Sequence, residues 1–368
     1  MIRVLQVIDN MNAGGMENML MNYYRKIVKY NIQFDFLIFH KNKCFFEDEI
    51  ISLGGNIFKV TSRRDNFILN RVETEDFFKT YHYDYVEFHQ GITYYFPLEM
   101  AKKYNYMHRI IHNHGINRNY LKNFKLYNEI WAKKRISNLA NHYFTCSHEV
   151  NSHLFSKNVL LKEQIYLINN AIDINKFKFD LDYRSEIRKE FNIKKDEVLV
   201  GHIGTFTTPK NHKFLIEVFN IVSKMRNNYR LLCVGEGPLK DGILKKIDEM
   251  NLTKNVQIVS KRHDVNKILS AIDILVFPSL YEGIPLTIVE AQASGVSIVC
   301  SNNINKNTFI TDNVEFLSLA ENAEIWANKI VSLSYLKEQR NSKYEMMLKS
   351  NYDIDNEVLK LSKIYYSL

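Results

Sequence analysis

The chain has 368 residues, of which 46% are hydrophobic and 24% are charged, with 13 glycines and 5 prolines. This length exceeds one ordinary hydrophobic core and favours two domains, and the composition excludes collagen-like, low-complexity and disordered proteins. A net charge of +8 and a pI near 9.0 favour acidic partners such as nucleotide phosphates, an anionic membrane surface or nucleic acid.

Four cysteines and the apolar runs indicate the compartment. Cys44, Cys146, Cys233 and Cys300 lie far apart and form no metal-ligand pair, so we expect reduced thiols and a cytoplasmic protein. No run of about 18 apolar residues occurs, and the N-terminus is typical of a strand rather than of a signal peptide.

Apolar runs alternate with amphipathic runs along the first half, which predicts a parallel sheet covered by helices on both faces. The predicted strands are residues 4–8, 33–39, 56–60, 85–89, 109–112, 142–147 and 165–168. The predicted helices are one that follows the glycine turn at residues 10–17, and then residues 45–52 and 73–80.

The turn after the first predicted strand contains Gly14, Gly15 and Glu17. Paired glycines allow the backbone to approach a ligand closely. The third glycine of the dinucleotide fingerprint is missing, which argues against hydride transfer. A plain βα turn is the alternative interpretation.

Two histidines lie where predicted strands end. His89 ends one strand, and His114 follows another at its carboxyl end, where open α/β sheets bind ligands. His114 could bond a sugar hydroxyl or a phosphate, although a structural role is the alternative. His112 is expected to point into the sheet, because neighbours on a strand alternate faces.

The stretch from Arg118 to Ile136 combines positive charge with an aromatic stripe at helical spacing. Such a helix can lie on an anionic membrane surface. A stripe that faces the protein core is the alternative, and nucleic-acid binding is a weaker third interpretation. The stripe consists of Tyr120, Phe124, Tyr127 and Trp131.

Residues 169–173 mark the predicted boundary between the halves, and the charged segment beyond Phe177 is predicted to be a mobile linker. The second half then repeats the alternation of strands and helices. We predict an N-terminal domain at residues 1–170, a second domain at 171–350 and a terminal helix at 351–368. The predicted strands are residues 197–203, 231–234, 256–259, 272–277, 296–300 and 311–319. The predicted helices are residues 213–224, 239–250, 265–271, 286–293, 325–333, 341–350 and 355–366.

Residues 277–301 read as strand end, loop, helix, turn and strand, with Pro285 in the first helical turn. The exposed amides and the dipole of a helix N-terminus favour an anion. Glu282 precedes this place and Glu290 lies about one turn inside the helix, so carboxylates on both sides can hold hydroxyls. A sugar phosphate ester has both kinds of group, although an ordinary βα unit is the alternative.

The same string resembles the signature of retaining family-4 glycosyltransferases, in which two glutamates are separated by seven residues. The turn at Gly14 resembles the glycine loop of that family. The loop that begins at Gly204 resembles its donor-phosphate loop, with Lys210 in the place of the family lysine. The resemblance implies a GT-B fold, with two Rossmann-like parallel-sheet domains facing across a cleft. It also implies transfer of a sugar from a nucleotide diphosphate, most simply UDP, with retention at the anomeric carbon.

The resemblance assigns roles to residues. Catalytic roles fall on Glu282, His114 and Lys210. Donor binding falls on Glu290, Gly283, Ile284, Pro285, Leu286, Thr205, Arg262, Gly14 and Gly15. Glu17 and His89 are placed on the acceptor side. Because the sequence contains no carboxylate cluster with metal-ligand spacing, we expect neither a metal nor another cofactor.

One departure from the family pattern bears on turnover. Thr205 stands where the family has an arginine on the diphosphate, and a charged bond to phosphate contributes roughly 1.5–3 kcal/mol. Arg262 or His263 could substitute for it. A nucleotide-sugar-binding protein without turnover, and a hydrolase or epimerase of the same fold, are therefore alternatives.

The expected partners follow from the family and the basic stretch. They are a nucleotide-sugar donor, a saccharide or polyprenyl-linked saccharide acceptor in cell-surface polysaccharide assembly, and an anionic membrane at the inner face of the cytoplasmic membrane. No nucleic-acid partner is expected.

Overall fold

The computed structural model describes residues 1–12, 14–89, 94–114, 126–147, 151–161, 165–282, 284–333 and 340–368. The chain forms two compact units. The first unit contains Met1–Ala171 and Ile354–Leu368, and the second contains Ile172–Asp353. The four cysteines are buried and unpaired.

The first unit is built on a seven-stranded sheet in the order β3-β2-β1-β4-β5-β6-β7, and the pairings among its described strands are parallel. Its strands are largely buried on both faces at the centre of the sheet and partly buried at its two edges, as is usual for a helix-covered parallel sheet. They are β1 (Ile2–Ile8), β2 (Ile32–Ile38), β3 (Ile57–Lys59), β4 (Tyr85–Phe88), β5 (His108–Asn113), β6 (His142–Thr145) and β7 (Ile165–Leu167).

Helices cover this sheet, and the last helix of the chain belongs to this unit. On α1, side chains at helical spacing, among them Tyr23, are buried, and the Tyr23 hydroxyl donates to the Asn169 carbonyl at 2.7 Å. The helices are α1 (Gly15–Ile27), α2 (Glu47–Ser52), α3 (Phe67–Thr80), α4 (Phe96–Lys103), α5 (Leu126–Leu139), α6 (Asn151–Leu154), α7 (Lys157–Leu160) and, at the chain's end, α15 (Ile354–Ser367).

The second unit repeats the design with a six-stranded parallel sheet in the order β10-β9-β8-β11-β12-β13. Its strands are β8 (Val198–Ile203), β9 (Tyr229–Val234), β10 (Val256–Val259), β11 (Ile274–Phe277), β12 (Ser297–Ser301) and β13 (Val314–Leu317). Its helices are α8 (Leu181–Glu190), α9 (His212–Met225), α10 (Lys240–Glu249), α11 (Val265–Ala271), α12 (Leu286–Ala293), α13 (Ala323–Leu333) and α14 (Arg340–Leu348).

Each strand order reverses direction at one place, and that place positions the candidate site. In the first unit the reversal falls between β1 and β4, and in the second it falls between β8 and β11. Ligands of open α/β sheets bind outside the carboxyl ends of the strands at such a switch point. The loops that follow β8 and β11 are the Lys210 loop and the Glu282 loop.

Two parts of the structure differ from the sequence prediction. The charged segment beyond Phe177 is not a mobile linker, because residues 181–190 form α8, where Asp180 accepts from the Tyr183 amide at 2.8 Å as its N-cap. Helix α3 begins at Phe67 rather than at residue 73, because Asn66 caps it through the Leu69 amide. Within the described ranges, every helix is too short or too polar to cross a membrane.

Candidate active site

An ion pair joins the two switch-point loops of the second unit. Lys210 Nζ donates to Glu282 Oε1 at 2.7 Å, and both side chains are largely buried. The backbones of the loops are also tied together. The Leu280 amide donates to the Pro209 carbonyl at 2.8 Å, and Asn211 Nδ2 donates to the Pro278 carbonyl at 3.1 Å.

Two neighbours fix the direction of the Lys210 side chain. A Cβ atom at Gly204 would lie 3.2 Å from Lys210 Cε, so a larger residue there would crowd the lysine stem. The Lys210 ammonium lies 4.6 Å from the centroid of the Phe277 ring, within the range of a cation–π contact. Lys210 is therefore held at the carboxyl end of β11.

The loop after β9 packs against the Lys210 loop through glycine. A Cβ atom at Gly235, where φ is +153°, would lie 2.0 Å from the Gly204 carbonyl oxygen, and one at Gly237 would lie 2.5 Å from the Phe206 carbonyl oxygen. The Phe206 amide donates to the Glu236 carbonyl at 2.8 Å. The close packing of these glycines makes the loop a support for the site, a role that its sequence alone does not indicate.

Helix α12 presents its N-terminus beside the Glu282 loop. Pro285 is the N-cap residue in extended backbone, with φ −75° and ψ 108°, and not part of the first turn as predicted. Leu286 begins the helix, and the Ile288 amide donates to the Pro285 carbonyl at 3.0 Å. Leu286 and Thr287 therefore carry the first-turn amides without an intrahelical acceptor. Ile284 is partly exposed, and Gly283 lies outside the described residues.

Glu290 lies one turn inside α12. Burial raises the pKa of its carboxyl group to about 7, and the nearby Lys176 opposes this by favouring the charged form. The carboxyl group makes no side-chain hydrogen bond with the described residues. A desolvated carboxyl group of this kind is ready to accept hydrogen bonds from a ligand.

Two buried histidines lie behind Lys210. Burial lowers the pKa of His202 to about 4 and that of His212 to about 2, and the Lys210 charge contributes to both shifts. His202 Nδ1 donates to the Val276 carbonyl at 2.8 Å, and the two rings meet edge to face. Both imidazoles are neutral near pH 7, which leaves the Lys210 ammonium as the cation that faces Glu282.

In the first unit, Gly14 and Gly15 form the start of α1. Gly14 is its N-cap, and a Cβ atom there would lie 2.3 Å from Glu17 Oε2, so the glycine makes room for the folded-back glutamate. A Cβ atom at Gly15 would meet nothing within 4 Å. The Glu17 carboxylate therefore lies at the N-terminal turn of α1, which follows the switch-point strand β1.

His89 and His114 are brought together at the carboxyl ends of β4 and β5. His89 Nδ1 lies 2.6 Å from His114 Nε2, and His89 Nε2 lies 2.5 Å from Gln6 Oε1. Burial holds the pKa of both histidines well below the usual range, and the neighbouring His112 contributes to both shifts. Both rings are therefore neutral near pH 7.

The hydrogen bonds of Glu87 determine which ring nitrogen carries the proton in His89 and in His114. Burial opposes its ionisation, but hydrogen bonds from His112, Tyr365 and Gln6 hold its pKa below the usual value, so it accepts from all three. Gln6 therefore turns its carbonyl oxygen to His89, which must donate through Nε2 and accept through Nδ1. It follows that His114 donates through Nε2, and its Nδ1 carries the lone pair.

Comparisons with known proteins agree with this arrangement. Residues 183–348 match the family of glycosyl transferases group 1. The second unit is a group 1 glycosyl transferase domain. Over 374 aligned residues the chain is 29% identical to a putative glycosyltransferase, EpsF of Bacillus subtilis, covering 99% of this chain and 96% of that protein.

Two further relatives extend over both units. The chain is 25% identical to CapH, a capsular polysaccharide biosynthesis glycosyltransferase of Staphylococcus aureus, across 100% of this chain and 99% of that protein. The crystal structure of Anabaena HepE in complex with UDP-glucose matches with a TM-score of 0.80 over 100% of both chains, at 16% identity. The family resemblance and the predicted GT-B fold class are thus confirmed.

Among the described residues, no hydrogen bond or ion pair joins Thr205 to an arginine. Thr205 Oγ1 lies 3.4 Å from Thr207 Oγ1. Arg262 donates four hydrogen bonds, two to Asp264 and two to Glu190, at 2.6 to 3.0 Å. Its role on a diphosphate stays a prediction, and that role would require Arg262 to release these carboxylates.

Several residues of the candidate sites in the two units do not belong to the family motifs and are not predicted from the sequence as site residues. In the second unit they are His202 and His212, and in the first they are Gln6, Glu87, His112 and Tyr365. The available signal is a polar residue inside an apolar strand, as with Gln6 in β1 and Glu87 in β4. A buried polar side chain needs a partner, which points to a network without identifying its members.

Proposed function

We propose that this glycosyltransferase moves a hexosyl or N-acetylhexosaminyl residue from a UDP-sugar to a saccharide or lipid-linked saccharide, with retention at the anomeric carbon. The process it serves is cell-surface polysaccharide assembly, and the similarity to CapH, a capsular polysaccharide biosynthesis glycosyltransferase, supports this role. The observation that carries the proposal is the Lys210–Glu282 pair beside the N-terminus of α12, at the switch point of the second unit.

The donor is assigned by matching its groups to the site. Lys210 neutralises the diphosphate, and the first-turn amides of α12 bind an anionic oxygen. Glu290, about one turn further along, accepts from the ribose hydroxyls. A UDP-linked donor is supported by HepE, which binds UDP-glucose.

Donor binding exchanges partners within the pair. In the structure Lys210 is paired with Glu282 at 2.7 Å. A diphosphate that draws the ammonium to itself releases Glu282, whose oxygens then accept from hydroxyls of the donor sugar. The Lys210 ammonium therefore has an anionic partner both before and after the donor binds.

The reaction places the new bond on the face of the sugar that the diphosphate leaves. The bond between the anomeric carbon and the diphosphate oxygen breaks, and the acceptor oxygen bonds to that carbon. The acceptor proton passes to the departing phosphate. Lys210 and the amides stabilise the developing phosphate charge, so they carry most of the catalysis. His114 contacts a sugar hydroxyl, and no metal takes part.

An anionic membrane supplies the acceptor to a basic, apolar surface of the first unit. Helix α4 packs against both α3 and α5. Arg71 lies 3.9 Å from the Phe96 ring centroid, and Arg135 lies 5.3 Å from that of Trp131. Helix α3 adds four exposed apolar side chains: Phe67, Ile68, Leu69 and Val72.

The orientation of α5 supports this membrane surface. Ala132, Ile136 and Leu139 are its buried side chains, whereas Ile130 and Trp131 are exposed. Trp131 thus departs from the core-facing interpretation of the aromatic stripe. Tyr120 and Phe124 lie outside the described residues, and the Tyr127 side chain is not described. A basic surface with exposed aromatic and aliphatic groups binds an anionic bilayer through charge and burial together.

A second candidate function is nucleotide-sugar binding without turnover. Thr205 favours it, because the family arginine is absent and the carboxylates of Glu190 and Asp264 occupy Arg262. A hydrolase or epimerase on the same site would use water or the released sugar in place of an acceptor.

Product analysis by NMR separates these functions. Purified protein is incubated with a panel of UDP-sugars and a chelator, with and without a polyprenyl diphosphate saccharide. Transfer predicts a new α- or β-glycoside with the donor's anomeric configuration only when the acceptor is present. Free sugar without acceptor indicates hydrolysis, and binding by calorimetry with no product indicates the second candidate. Absence of any UDP-sugar binding would refute the proposal.

A further inference from the structure

Three histidines of the first unit converge at the ends of neighbouring strands. His112 is in β5, and His89 and His114 directly follow β4 and β5. One ring nitrogen from each lies within 4.8 Å of the other two. His89 and His112 are only 6% and 2% exposed, whereas His114 is partly exposed, so two members are shielded from water and the third is shielded only in part. We call these residues the histidine triad.

Two members of the triad are oriented as metal ligands usually are. A metal-binding histidine donates its second ring N–H to a carboxylate or carbonyl oxygen, which fixes the tautomer and ring orientation. His112 Nδ1 contacts Glu87 Oε1 at 2.7 Å, and His89 Nε2 contacts Gln6 Oε1 at 2.5 Å. These bonds use one nitrogen of each ring and leave His112 Nε2 and His89 Nδ1 as the nitrogens available to a metal ion.

Two ring nitrogens of the triad are short of partners. His112 Nε2 and His114 Nδ1 are buried without a hydrogen-bond partner among the described residues. Buried polar atoms without partners are rare in folded proteins, and a water or an ion commonly satisfies them. The rings of His112 and His114 are stacked with centroids 4.1 Å apart, so the two residues adjoin each other.

We propose that the histidine triad binds one divalent transition metal ion of the Zn²⁺ type. Imidazole is a preferred ligand of Zn²⁺, Ni²⁺ and Cu²⁺, whereas Mg²⁺ and Ca²⁺ prefer oxygen. Three neutral imidazoles leave a fourth position for water.

The ion replaces the proton shared by His89 and His114. Their nitrogens lie 2.6 Å apart as a hydrogen bond. In a tetrahedral Zn²⁺ site with bonds of about 2.0–2.1 Å, ligand nitrogens lie roughly 3.4 Å apart. His114 therefore shifts its proton from Nε2 to Nδ1 and binds through Nε2, or turns Nδ1 inward and keeps its Nε2 proton, and its ring moves by about 1 Å. His89 and His112 keep the N–H groups that face Gln6 and Glu87.

Metal binding has a consequence that rests on the proposed transferase function. A metal-bound His114 has no free nitrogen lone pair for a sugar hydroxyl. The ion is then an inhibitor of transfer rather than its cofactor. Metal binding itself does not depend on this consequence, because it is measured without any sugar.

The test uses the full chain without a polyhistidine tag. Wild-type protein is dialysed against Zn²⁺ and then against metal-free buffer, and the retained metal is measured by mass spectrometry. Affinity is measured by calorimetry with Zn²⁺, and Co²⁺ reports the coordination through its visible absorption. The variants are His114→Asn, His89→Gln and Glu87→Gln, each checked for folding by circular dichroism.

A second histidine contact provides the control. His108 and His142 begin β5 and β6, so they lie at the ends of these strands opposite to the triad, and their ring nitrogens are 3.1 Å apart. No third histidine joins them among the described residues. His142→Gln should keep one equivalent of Zn²⁺. Glu87→Gln should weaken binding by about 10- to 100-fold, as loss of such an outer contact does elsewhere. His89→Gln and His114→Asn should weaken it at least as much.

Two results would overturn the metal site. One is wild-type protein that retains no Zn²⁺ and gives no tetrahedral Co²⁺ spectrum. The other is an affinity that His89→Gln and His114→Asn leave unchanged. In either case the triad is a hydrogen-bond network only, and transfer measured in chelator still tests the proposed function separately.

Discussion

Lys210 and Glu282 form an ion pair of 2.7 Å although 72 residues separate them in the sequence. The pair lies at the one place where the strand order of the second unit reverses, and Phe277 lies 4.6 Å beneath the ammonium. The pair is partly buried, so losing one partner leaves a poorly solvated charge. A diphosphate is a partner that Lys210 can take in exchange for Glu282.

Replacing Lys210 by Met should lower the affinity for UDP by roughly 10- to 150-fold, which corresponds to the 1.5–3 kcal/mol of a charged hydrogen bond. Calorimetry measures the change. Lys213→Met is the matched control, because it removes the same charge from an exposed position three residues away. An equal loss of UDP affinity in the two variants would mean that UDP binding depends only on the net charge of the protein. Lys210 would then not be part of the donor site.

Glu290 should give donor binding a pH dependence. Burial raises its pKa from 4.5 to about 7, so its contribution to the free energy of unfolding is fully present below pH 4.5 and is lost as the pH rises through about 7. Its carboxylate form accepts from ribose hydroxyls more strongly than its protonated form. The affinity for a UDP-sugar should therefore rise as the pH increases through 7.

The Glu290→Gln variant tests both parts of this pH dependence. A UDP-sugar is used because its diphosphate does not titrate in this range. Calorimetry on both sides of pH 7 should show a slope for wild type and for the exposed control Glu324→Gln, and a flat profile with weaker binding for Glu290→Gln. A wild-type slope that survives in Glu290→Gln would assign the titration to another group.

The sequence predicts the strands of both sheets well, because each is an apolar run with turn residues at its ends. The Glu282–Glu290 spacing likewise identifies the α12 site, since one loop and one helix carry both residues. Helix α8 is missed because its outward surface is charged and its mean hydropathy is low. It is held by tertiary contacts, in which Arg188 donates to the buried Asp273 at 3.2 Å.

Long-range polar partners are the part that sequence patterns cannot supply. Glu87 on β4 and Tyr365 on α15 are 278 residues apart, and nothing in either local pattern connects them. Their contact depends on how α15 packs in the first unit. The same reason explains why His202 and His212 behind Lys210 are not predicted.

Thr205→Arg should increase turnover by restoring the family's positive charge. A new charged bond to the diphosphate adds up to roughly 1.5–3 kcal/mol, so kcat/KM should rise by at least about tenfold. The rise should be mainly in kcat if the charge stabilises the departing phosphate. Thr208→Arg, an exposed position in the same loop, is the control. Unchanged kinetics in Thr205→Arg would mean that the donor's diphosphate lies elsewhere.

Tyr365→Phe should destabilise the first unit. The Tyr365 hydroxyl donates to the buried, ionised Glu87, and loss of a hydrogen bond to a charged group costs about 1.5–3 kcal/mol. Tyr366→Phe is the matched control on the same helix. Its hydroxyl donates to the Tyr30 carbonyl at an exposed position, so its cost should stay within about 0.5 kcal/mol.

Hydrogen exchange of the first unit is the suitable measurement for Tyr365→Phe, because two units need not unfold together. The slowest amides of β1 and β4 should lose protection in Tyr365→Phe and keep it in Tyr366→Phe. Equal protection in both variants would show that Glu87 is satisfied without the tyrosine.

The apolar start of α3 should bind anionic vesicles. Phe67 and Ile68 are 56% and 75% exposed, with Arg64 and Arg71 beside them. The double variant Phe67→Ser with Ile68→Ser should reduce cosedimentation with phosphatidylglycerol vesicles at least tenfold, because burying each such side chain contributes about 1.5–3 kcal/mol. Arg71→Gln should weaken binding about fivefold, and added salt should remove that difference.

Leu181→Ser is the matched control, since Leu181 is 71% exposed but lies in the second unit. It should bind vesicles as wild type does. Vesicles of phosphatidylcholine alone should bind all variants weakly, because the arginines then lack an anionic partner. If the double variant and Leu181→Ser sediment equally with phosphatidylglycerol vesicles, α3 is not the membrane surface, and any binding must come from the basic side chains of α5.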